Sequence, residues 1–314
     1  MPVLGFGTAT LGRETSEPES LRILDAAFAL GFRHFDTAEA YGGGNARLYR
    51  KNAFGLDDVR ETTGTMHSSE LILGRWVRTR GLRGEVTLAT KVSSGFRARE
   101  VKMALDRSLE RLGLDRVDLC YLHSMPTGGA PLAEPLDALA QARRQGLIGS
   151  LGVSNCSLPQ LMEAHGAAPV LDHCQNPFNL VLHRESLALW PYCRAHGIRF
   201  AGYSPLAAGF LTGKYGARGE SVPAGARFDV IPGHQVIYFQ EESYQALARL
   251  EAASVRTGLP KPLLALAWVL RHAGIATALI GATRVEHLEN ALRAQQLVLE
   301  DEIWRQLGVG ETWS

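Results

Sequence analysis

Short apolar runs alternate with longer amphipathic stretches along almost the whole chain. Eight of the short runs have the length and the apolar content of buried strands. They span residues 4–8, 34–36, 86–90, 117–122, 148–154, 170–175, 199–203 and 276–280. Between them, apolar residues recur at intervals of three and four, which is typical of helices with one buried face.

The helical stretches follow the strands in regular order. The first three are marked by the apolar residues of 21–29, 71–77 and 101–112, and the later ones span 131–145, 158–165, 185–196, 243–257, 262–272 and 285–295. Eight strands alternating with helices over about 300 residues favour one α/β domain, a (β/α)8 TIM barrel covering residues 1–314. Such barrels carry their functional residues at the carboxyl ends of the strands.

Two stretches break this alternation. Residues 42–68 follow the second strand and residues 204–242 follow the seventh, and both are predicted as long loops. Long loops in a compact domain are often lids, and both would lie on the face that carries the site. We therefore expect 42–68 to be an inserted loop over the active-site face, hinged at the glycines 42–44. An ordinary surface insertion remains the alternative.

Composition excludes several classes of protein. Lys and Arg total 33 against 32 Asp and Glu, so the chain lacks the basic excess of proteins that hold nucleic acid or anionic membranes. The longest apolar run, 263–270, falls well short of the roughly 20 residues of a membrane span. The first residues do not resemble a signal peptide, and the four cysteines have no Cys-x-x-Cys spacing. We predict a cytoplasmic protein without a metal site; its oligomeric state is not determined by the sequence.

A doubly wound dinucleotide-binding fold is the main alternative architecture. Gly5 and Gly7 follow a short strand, and Asp36 ends the next one. The fingerprint of that fold needs a third glycine and a helix that opens directly from the turn. Thr10 occupies the third position, and Pro18 with the polar residues before it delays the helix. The barrel is therefore favoured.

Four side chains suited to acid–base chemistry follow three neighbouring strands. Asp36, Lys91 and His123 end the second, third and fourth strands, and Tyr41 comes five residues after Asp36. Each alone is compatible with a surface or capping residue, but a barrel brings these strand ends to one mouth. An ammonium beside a phenol favours the phenolate, a carboxylate keeps the ammonium charged, and an imidazole positions a carbonyl oxygen. Together they would protonate a carbonyl oxygen that gains negative charge.

A series of motifs accompanies these four residues, each at a predicted strand end. The motifs are FDTAEAYG at 35–42, ATK at 89–91, LH at 122–123, GVSN at 152–155, QNPFN at 175–179, YSPLAAG at 203–209, LTGKY at 211–215 and GATR at 281–284. In this order and over nearly the whole chain, the sequence resembles the aldo-keto reductase superfamily. The resemblance implies a (β/α)8 barrel that binds NADPH in extended form and reduces a small-molecule carbonyl substrate.

The resemblance also implies roles for individual residues. Tyr41 is then the general acid, Lys91 and Asp36 make its phenol a better acid, and His123 orients the carbonyl. Cofactor contacts implied at the nicotinamide end are Thr8, Asp36, Ser154, Asn155, Gln175 and Tyr203, the last by stacking on the ring. Contacts implied at the phosphates and the adenosine are Ser204, Pro205, Leu206, Ala207, Ala208, Lys214, Arg227, Gly281, Thr283, Arg284 and His287.

Three departures from the family pattern change these expectations. The sequence begins almost at the first predicted strand, so we expect no N-terminal β-hairpin of the kind that usually closes the base of the barrel. His287, Asn290 and Ala291 stand where the family commonly has Gln, Glu and Asn, so we expect altered adenine contacts. The segment 42–68 is longer than usual and rich in charge, which favours a hydroxylated, sugar-like substrate.

The sequence is compatible with two other functions. A barrel of this type can be a cofactor-binding regulatory subunit, as in the beta subunits of potassium channels, or can use the bound nucleotide for sugar dehydrogenation or epimerisation. The complete set of Asp36, Tyr41, Lys91 and His123 favours catalysis over a regulatory role.

Overall fold

A closed barrel of eight parallel strands forms the frame of the protein. The computed structural model describes residues 1–126, 131–216 and 222–308. Each strand pairs with the next in sequence, and β8 pairs with β1. The strands are β1 Val3–Gly7, β2 His34–Asp36, β3 Thr87–Val92, β4 Val117–Leu122, β5 Ile148–Ser154, β6 Leu171–Pro177, β7 Arg199–Tyr203 and β8 Thr277–Gly281. The predicted (β/α)8 architecture is confirmed.

Helices surround the barrel. They are α1 Glu17–Ala29, α2 Gly43–Phe54, α3 Ser68–Arg80, α4 Ala98–Leu112, α5 Ala133–Arg144, α6 Leu158–Ala167, α7 Arg184–Ala195, α8 Arg227–Val230, α9 Gly233–Tyr238, α10 Glu241–Thr257, α11 Lys261–Leu270, α12 Val285–Gln295 and α13 Asp301–Gln306. In α4, the apolar residues predicted to share one face, including Val101, Leu105 and Leu112, are all buried. No helix among the described residues is long and apolar enough to cross a membrane.

Strand pairing aligns the residues that carry chemistry at one end of the barrel. Asp36 pairs with Ala89, and Ser154 pairs with Gln175. Strand β3 runs two residues further than the sequence pattern predicts, because Lys91 and Val92 continue the ladder with β4. Lys91 is therefore held on a strand, which fixes its position more firmly than a loop would.

The segment 42–68 is not the open loop that the sequence predicts. It contains α2, and its last residue begins α3. Sequence periodicity could not reveal α2, because its apolar residues Leu48 and Tyr49 are exposed and form no core-facing stripe. A side chain at Gly43 or Gly44 would collide with the backbone of residues 63–66. These glycines therefore permit close packing, which corrects the expectation of a free hinge.

The segment 204–242 also contains regular structure. A 3-10 segment spans Ala207–Thr212, and the short helices α8 and α9 follow it. Residues 217–221 of this segment lie outside the described residues.

Candidate active site

The four predicted acid–base residues come together at the carboxyl ends of β2, β3 and β4. Lys91 Nζ forms a buried ion pair with Asp36 and donates a hydrogen bond to the Thr37 carbonyl at 2.9 Å. It also donates to the Tyr41 hydroxyl at 3.4 Å. The Tyr41 and His123 rings meet edge to face, with centroids 5.6 Å apart. One phenol thus lies between an ammonium and an imidazole.

Lys91 is held as a cation. Its side chain is only 1% exposed. Burial by itself lowers the pKa of Lys91, but the nearby Asp36 carboxylate and Tyr41 hydroxyl outweigh burial, so the pKa lies above its ordinary value. A permanent positive charge therefore lies beside the Tyr41 oxygen.

His123 is held neutral. Desolvation, reinforced by the Lys91 cation, lowers the pKa of His123 to about 3. A neutral imidazole donates through one ring nitrogen only. Since Tyr41 accepts from Lys91, its own O–H remains to donate to another group. Tyr41 and His123 can both donate to one carbonyl oxygen at this mouth.

A polar network extends the site around the barrel to β5 and β6. Gln175 donates from Nε2 to the second Asp36 oxygen at 2.9 Å. The Ser154 hydroxyl donates to the Gln175 carbonyl at 2.8 Å. All three side chains are buried. Gln175 and Lys91 therefore bind different oxygens of the Asp36 carboxylate.

Asn155 links this network to β4 and β7. Its Nδ2 donates to the His123 carbonyl at 2.8 Å, and its Oδ1 accepts from the Tyr203 hydroxyl at 2.6 Å. Asn155 has a left-handed φ of 58°, a conformation that costs free energy and is often found at functional sites. The structure thus brings the predicted nicotinamide residues into contact with the acid–base group.

Thr8 has a different environment from the one expected. Its side chain is fully buried, and its hydroxyl donates to the Asp36 carbonyl at 3.0 Å. It also lies 2.8 Å from the Ser69 hydroxyl, which in turn lies 2.9 Å from Thr37 Oγ1. Thr8 and Ser69 therefore fix the end of β2. Ser69 was not among the predicted residues, because its only sequence signal is a helix start.

Glu39 is a second residue that was not predicted to have a role of its own, although it lies in the motif at 35–42. It is buried, and it accepts hydrogen bonds from the backbone of Ser93 at 2.8 Å and of Ser94 at 3.1 Å. Burial raises the pKa of Glu39, but the Ser94 hydroxyl, the Ser93 N–H and hydroxyl and the Arg111 cation together outweigh burial, so the pKa lies below its ordinary value. The charged carboxylate ties the loop that carries Tyr41 to the end of β3.

The predicted phosphate loop after β7 has unusual backbone geometry. Ser204, Ala207 and Ala208 have left-handed φ values of 53°, 50° and 56°, and Gly209 follows with 92°. Left-handed non-glycine residues cost about 1–3 kcal/mol each and cluster at functional sites. Such turns direct successive backbone N–H groups into a concave surface that accepts anions. Pro205 and Leu206, the other predicted contacts, complete this turn.

Three predicted cations lie beyond this loop in different settings. Arg227 Nη1 lies 3.3 Å from Glu14 Oε1. Partial burial lowers the pKa of Lys214. The Glu14 carboxylate acts to raise this pKa and the Arg284 cation acts to lower it, so both charges influence Lys214. Arg284 is 71% exposed and lies 3.5 Å from Glu286. Arg227 therefore pairs directly with Glu14, Lys214 interacts with that carboxylate only through its charge, and Arg284 projects into solvent.

The start of α12 carries the remaining predicted residues. The Thr283 backbone N–H donates to His287 Nδ1 at 3.3 Å, and the Arg284 guanidinium lies 3.3 Å from the other ring nitrogen. Gly281 is exposed where β8 ends. Ala291, expected to alter an adenine contact, is fully buried in the core and reaches no surface.

The charged residues of 42–68 are engaged with one another and with α8. Arg50, fully buried, pairs with Glu61 at 2.5 Å and donates to the Val230 carbonyl at 2.8 Å. Arg60 bonds both the side chain and the carbonyl of Asp229 at 2.8 and 2.9 Å. Further ion pairs join Arg47 to Asp57, Lys51 to Asp57 and Arg60 to Asp58. The segment braces the loop that carries Arg227, and its charges give no support to a sugar-like substrate.

Comparison with known proteins agrees with this geometry. The family model described as the aldo/keto reductase family matches residues 3–308. Protein tas of Escherichia coli is 30% identical, covering 96% of this chain and 91% of its own length. Aldo-keto reductase yakc [NADP(+)] of Schizosaccharomyces pombe is 28% identical, covering 96% of this chain and 86% of its own. Aldo-keto reductase str7 of Strobilurus tenacellus is 28% identical, covering 95% and 85%.

The family match covers nearly the entire chain, and the barrel carries the expected side chains at one mouth. The chain belongs to the aldo/keto reductase family.

Proposed function

We propose that this protein is an NADPH-dependent reductase of aldehydes or ketones, with Tyr41 as its proton donor. The observation that carries the proposal is the position of the Tyr41 hydroxyl, 3.4 Å from a buried lysine ammonium and beside a neutral histidine. A relative that covers most of this chain carries NADP(+) in its name.

Each residue of the group has a distinct task in this reaction. NADPH, when bound, supplies the hydride. Tyr41 releases its proton to the carbonyl oxygen as that oxygen gains negative charge, and the Lys91 ammonium stabilises the phenolate that remains. His123, neutral across the physiological pH range, donates an N–H bond that orients the carbonyl. Asp36 keeps Lys91 charged and in place.

The residues present suit a dinucleotide with several phosphates. The left-handed residues Ser204, Ala207 and Ala208 shape the loop, in which the Ala207 N–H already donates to the Ser204 carbonyl at 2.8 Å, and Lys214 and Arg227 supply the positive charge for the phosphates. Lys214 packs beside Gly209, since its Cε would lie in van der Waals contact, at 3.5 Å, with a Cβ at that position. We assign the pyrophosphate and the ribose phosphate to this end.

The opposite end of the cofactor is assigned to the network around the acid–base group. Ser154, Asn155 and Gln175 would bond the nicotinamide carboxamide, and Tyr203 would stack on the ring. The support is their direct bonding to Asp36, His123 and one another. Thr8 would act through the backbone of Asp36, and Thr283, Arg284 and His287 would meet the adenosine.

Further proposals concern the setting of the enzyme. We place it in the cytoplasm as a single domain of residues 1–314, with 42–68 inserted over the active-site face. All four cysteines are free and buried, which suits a reducing compartment. The partner is a small-molecule carbonyl substrate rather than nucleic acid or membrane, in keeping with the balanced charge.

The test is a screen of aldehydes and ketones, both hydroxylated and unsubstituted, for NADPH oxidation by wild-type protein and Tyr41→Phe. We expect the phenylalanine variant to lose about 10²–10⁴-fold in kcat while its NADPH affinity is unchanged. Tyr49→Phe is the matched control, since Tyr49 is an exposed tyrosine of α2. Tight NADPH binding with no turnover of any carbonyl would favour a regulatory subunit. If Tyr41→Phe keeps activity within a few-fold of wild type, Tyr41 is not the proton donor.

A further inference from the structure

A buried ion pair lies beside the cations of the proposed phosphate end. Arg13 and Glu14, in the loop after β1, have side chains only 7% exposed. Arg13 Nε donates to Glu14 Oε2 at 2.7 Å, and the other Glu14 oxygen lies 3.3 Å from Arg227 Nη1. Glu14 therefore bridges two arginines that come from distant parts of the chain.

The cluster contains more positive charge than Glu14 compensates. Arg13 and Arg227 pair directly with the Glu14 carboxylate, and the Lys214 cation acts on it through its charge. Three cations with one carboxylate leave an excess of two positive charges. Burial outweighs the opposing Arg13 and Lys214 cations, so the pKa of Glu14 lies above its ordinary value and removal of either cation would raise it further. A phosphate monoester carries about −1.5 to −2 charges at neutral pH, close to that excess.

One donor in the cluster is left over. Arg13 Nη2 is buried and has no hydrogen-bond partner among the residues that the structure describes. A buried guanidinium nitrogen without an acceptor is costly, and such groups are commonly satisfied by a bound anion. His234 does not compete for the anion, because burial and the Arg13 cation lower its pKa to about 4 and keep it neutral.

The surrounding segments hold this arrangement in place. The Thr62 N–H of the 42–68 segment donates to the Arg13 carbonyl at 2.9 Å. Arg227 donates through Nε to His234 Nδ1 at 3.4 Å. The loop after β1, the inserted segment and α8 thus meet at the Arg13–Glu14 pair.

We propose that Arg13 is an additional ligand for the ribose phosphate of NADPH and that Glu14 is an internal anion that limits the affinity of this phosphate site. In the absence of the cofactor the Glu14 carboxylate compensates Arg13 and Arg227; once a phosphate binds, the carboxylate repels it and weakens its hold. Glu14 thereby speeds cofactor release and reduces the preference for NADPH over NADH. This inference rests on the proposed function.

The test measures nucleotide binding by calorimetry, independent of turnover, on wild type, Glu14→Gln and Arg13→Met. Glutamine keeps the size of the side chain and removes its charge. We expect Glu14→Gln to bind NADPH about tenfold more tightly, with NADH changed less than about twofold. Glu14→Gln should also bind adenosine 2′-monophosphate more tightly than wild type does, but its affinity for adenosine 5′-monophosphate should be unchanged. Arg13→Met should weaken NADPH more than NADH.

Glu17→Gln is the matched control, because it removes a carboxylate three residues away that pairs with Arg75 instead of the cluster. It should leave both affinities unchanged. The inference is overturned if Glu14→Gln leaves NADPH affinity unchanged or lower, or tightens NADH equally. Wild-type protein that binds neither nucleotide would refute the proposed function itself, so the two failures are distinguishable.

Discussion

Replacing Arg50 by Met should detach the brace between the inserted segment and the proposed cofactor loop. Arg50 has no exposed side-chain surface, and it contacts Glu61 at 2.5 Å, the Val230 carbonyl at 2.8 Å and the Asp58 carbonyl at 2.8 Å. Glu61 Oε1 accepts no hydrogen bond within the described part of the chain, so charge attraction holds the pair. Methionine leaves the Glu61 carboxylate buried, 1% exposed, and without its cation.

Breaking a buried ion pair by removing one partner costs about 3–5 kcal/mol. Arg50 joins two surface segments and no strand of the barrel, so we expect local opening with the barrel intact. At about 1.4 kcal/mol per factor of ten, the loss corresponds to at least about 100-fold faster amide exchange in residues 43–66 and 227–238. NADPH affinity should fall as well, since Arg227 lies at the start of α8.

Hydrogen exchange read by mass spectrometry, together with NADPH titration, checks this prediction. Arg47→Met is the control, because Arg47 pairs with Asp57 where both side chains are about 40% exposed, and such pairs contribute only about 0–1 kcal/mol. A double variant of Arg50→Met with Glu61→Met should recover part of the loss, since no buried charge is then left unpaired. Equal exchange in the Arg50 and Arg47 variants would refute the reasoning.

Two further predictions concern the cofactor and acid stability. Arg284→Ala should lower the affinity for NADPH more than the affinity for NADH, by only about threefold because Arg284 is exposed. Arg293→Ala, at the other end of α12, is the control. An equal loss of affinity for both cofactors would contradict this prediction. Burial lowers the pKa of His123 and His173 to about 3, so below about pH 6.5 the unfolded chain binds more protons than the folded one. The free energy of unfolding, from urea titrations, should fall between pH 6.5 and 5 by about 2 kcal/mol per histidine.

The regular elements of the barrel could be predicted closely from the sequence. Strands β5 and β7 and helix α12 have the bounds that the pattern predicts. Each has a buried face built from apolar residues at a fixed period, so local sequence carries the information. The residues at the strand ends were also recognisable, because Asp36, Lys91 and His123 stand where a strand would otherwise continue apolar.

The inserted segment could not be predicted in the same way. Helix α2 is stabilised by contacts of Arg50 with residues 58, 61 and 230, and no periodic apolar stripe marks it. The sequence alone cannot distinguish a charged residue that faces solvent from one that contacts a substrate or a buried partner. The sequence therefore left a lid over the substrate and a surface insertion as alternatives, and only the structure shows the contacts of this segment with the residues that follow Arg227.

By itself the sequence determined the barrel, its family and the acid–base residues at its mouth. These follow from apolar periodicity and from motifs that are contiguous in the chain. Tertiary structure alone decided how Lys91 is shared between Asp36 and Tyr41, and which cations surround Glu14. The partners of Glu14 include Arg227, 213 positions away in sequence. Charge interactions depend on distance and burial in space, and only the folded chain fixes both.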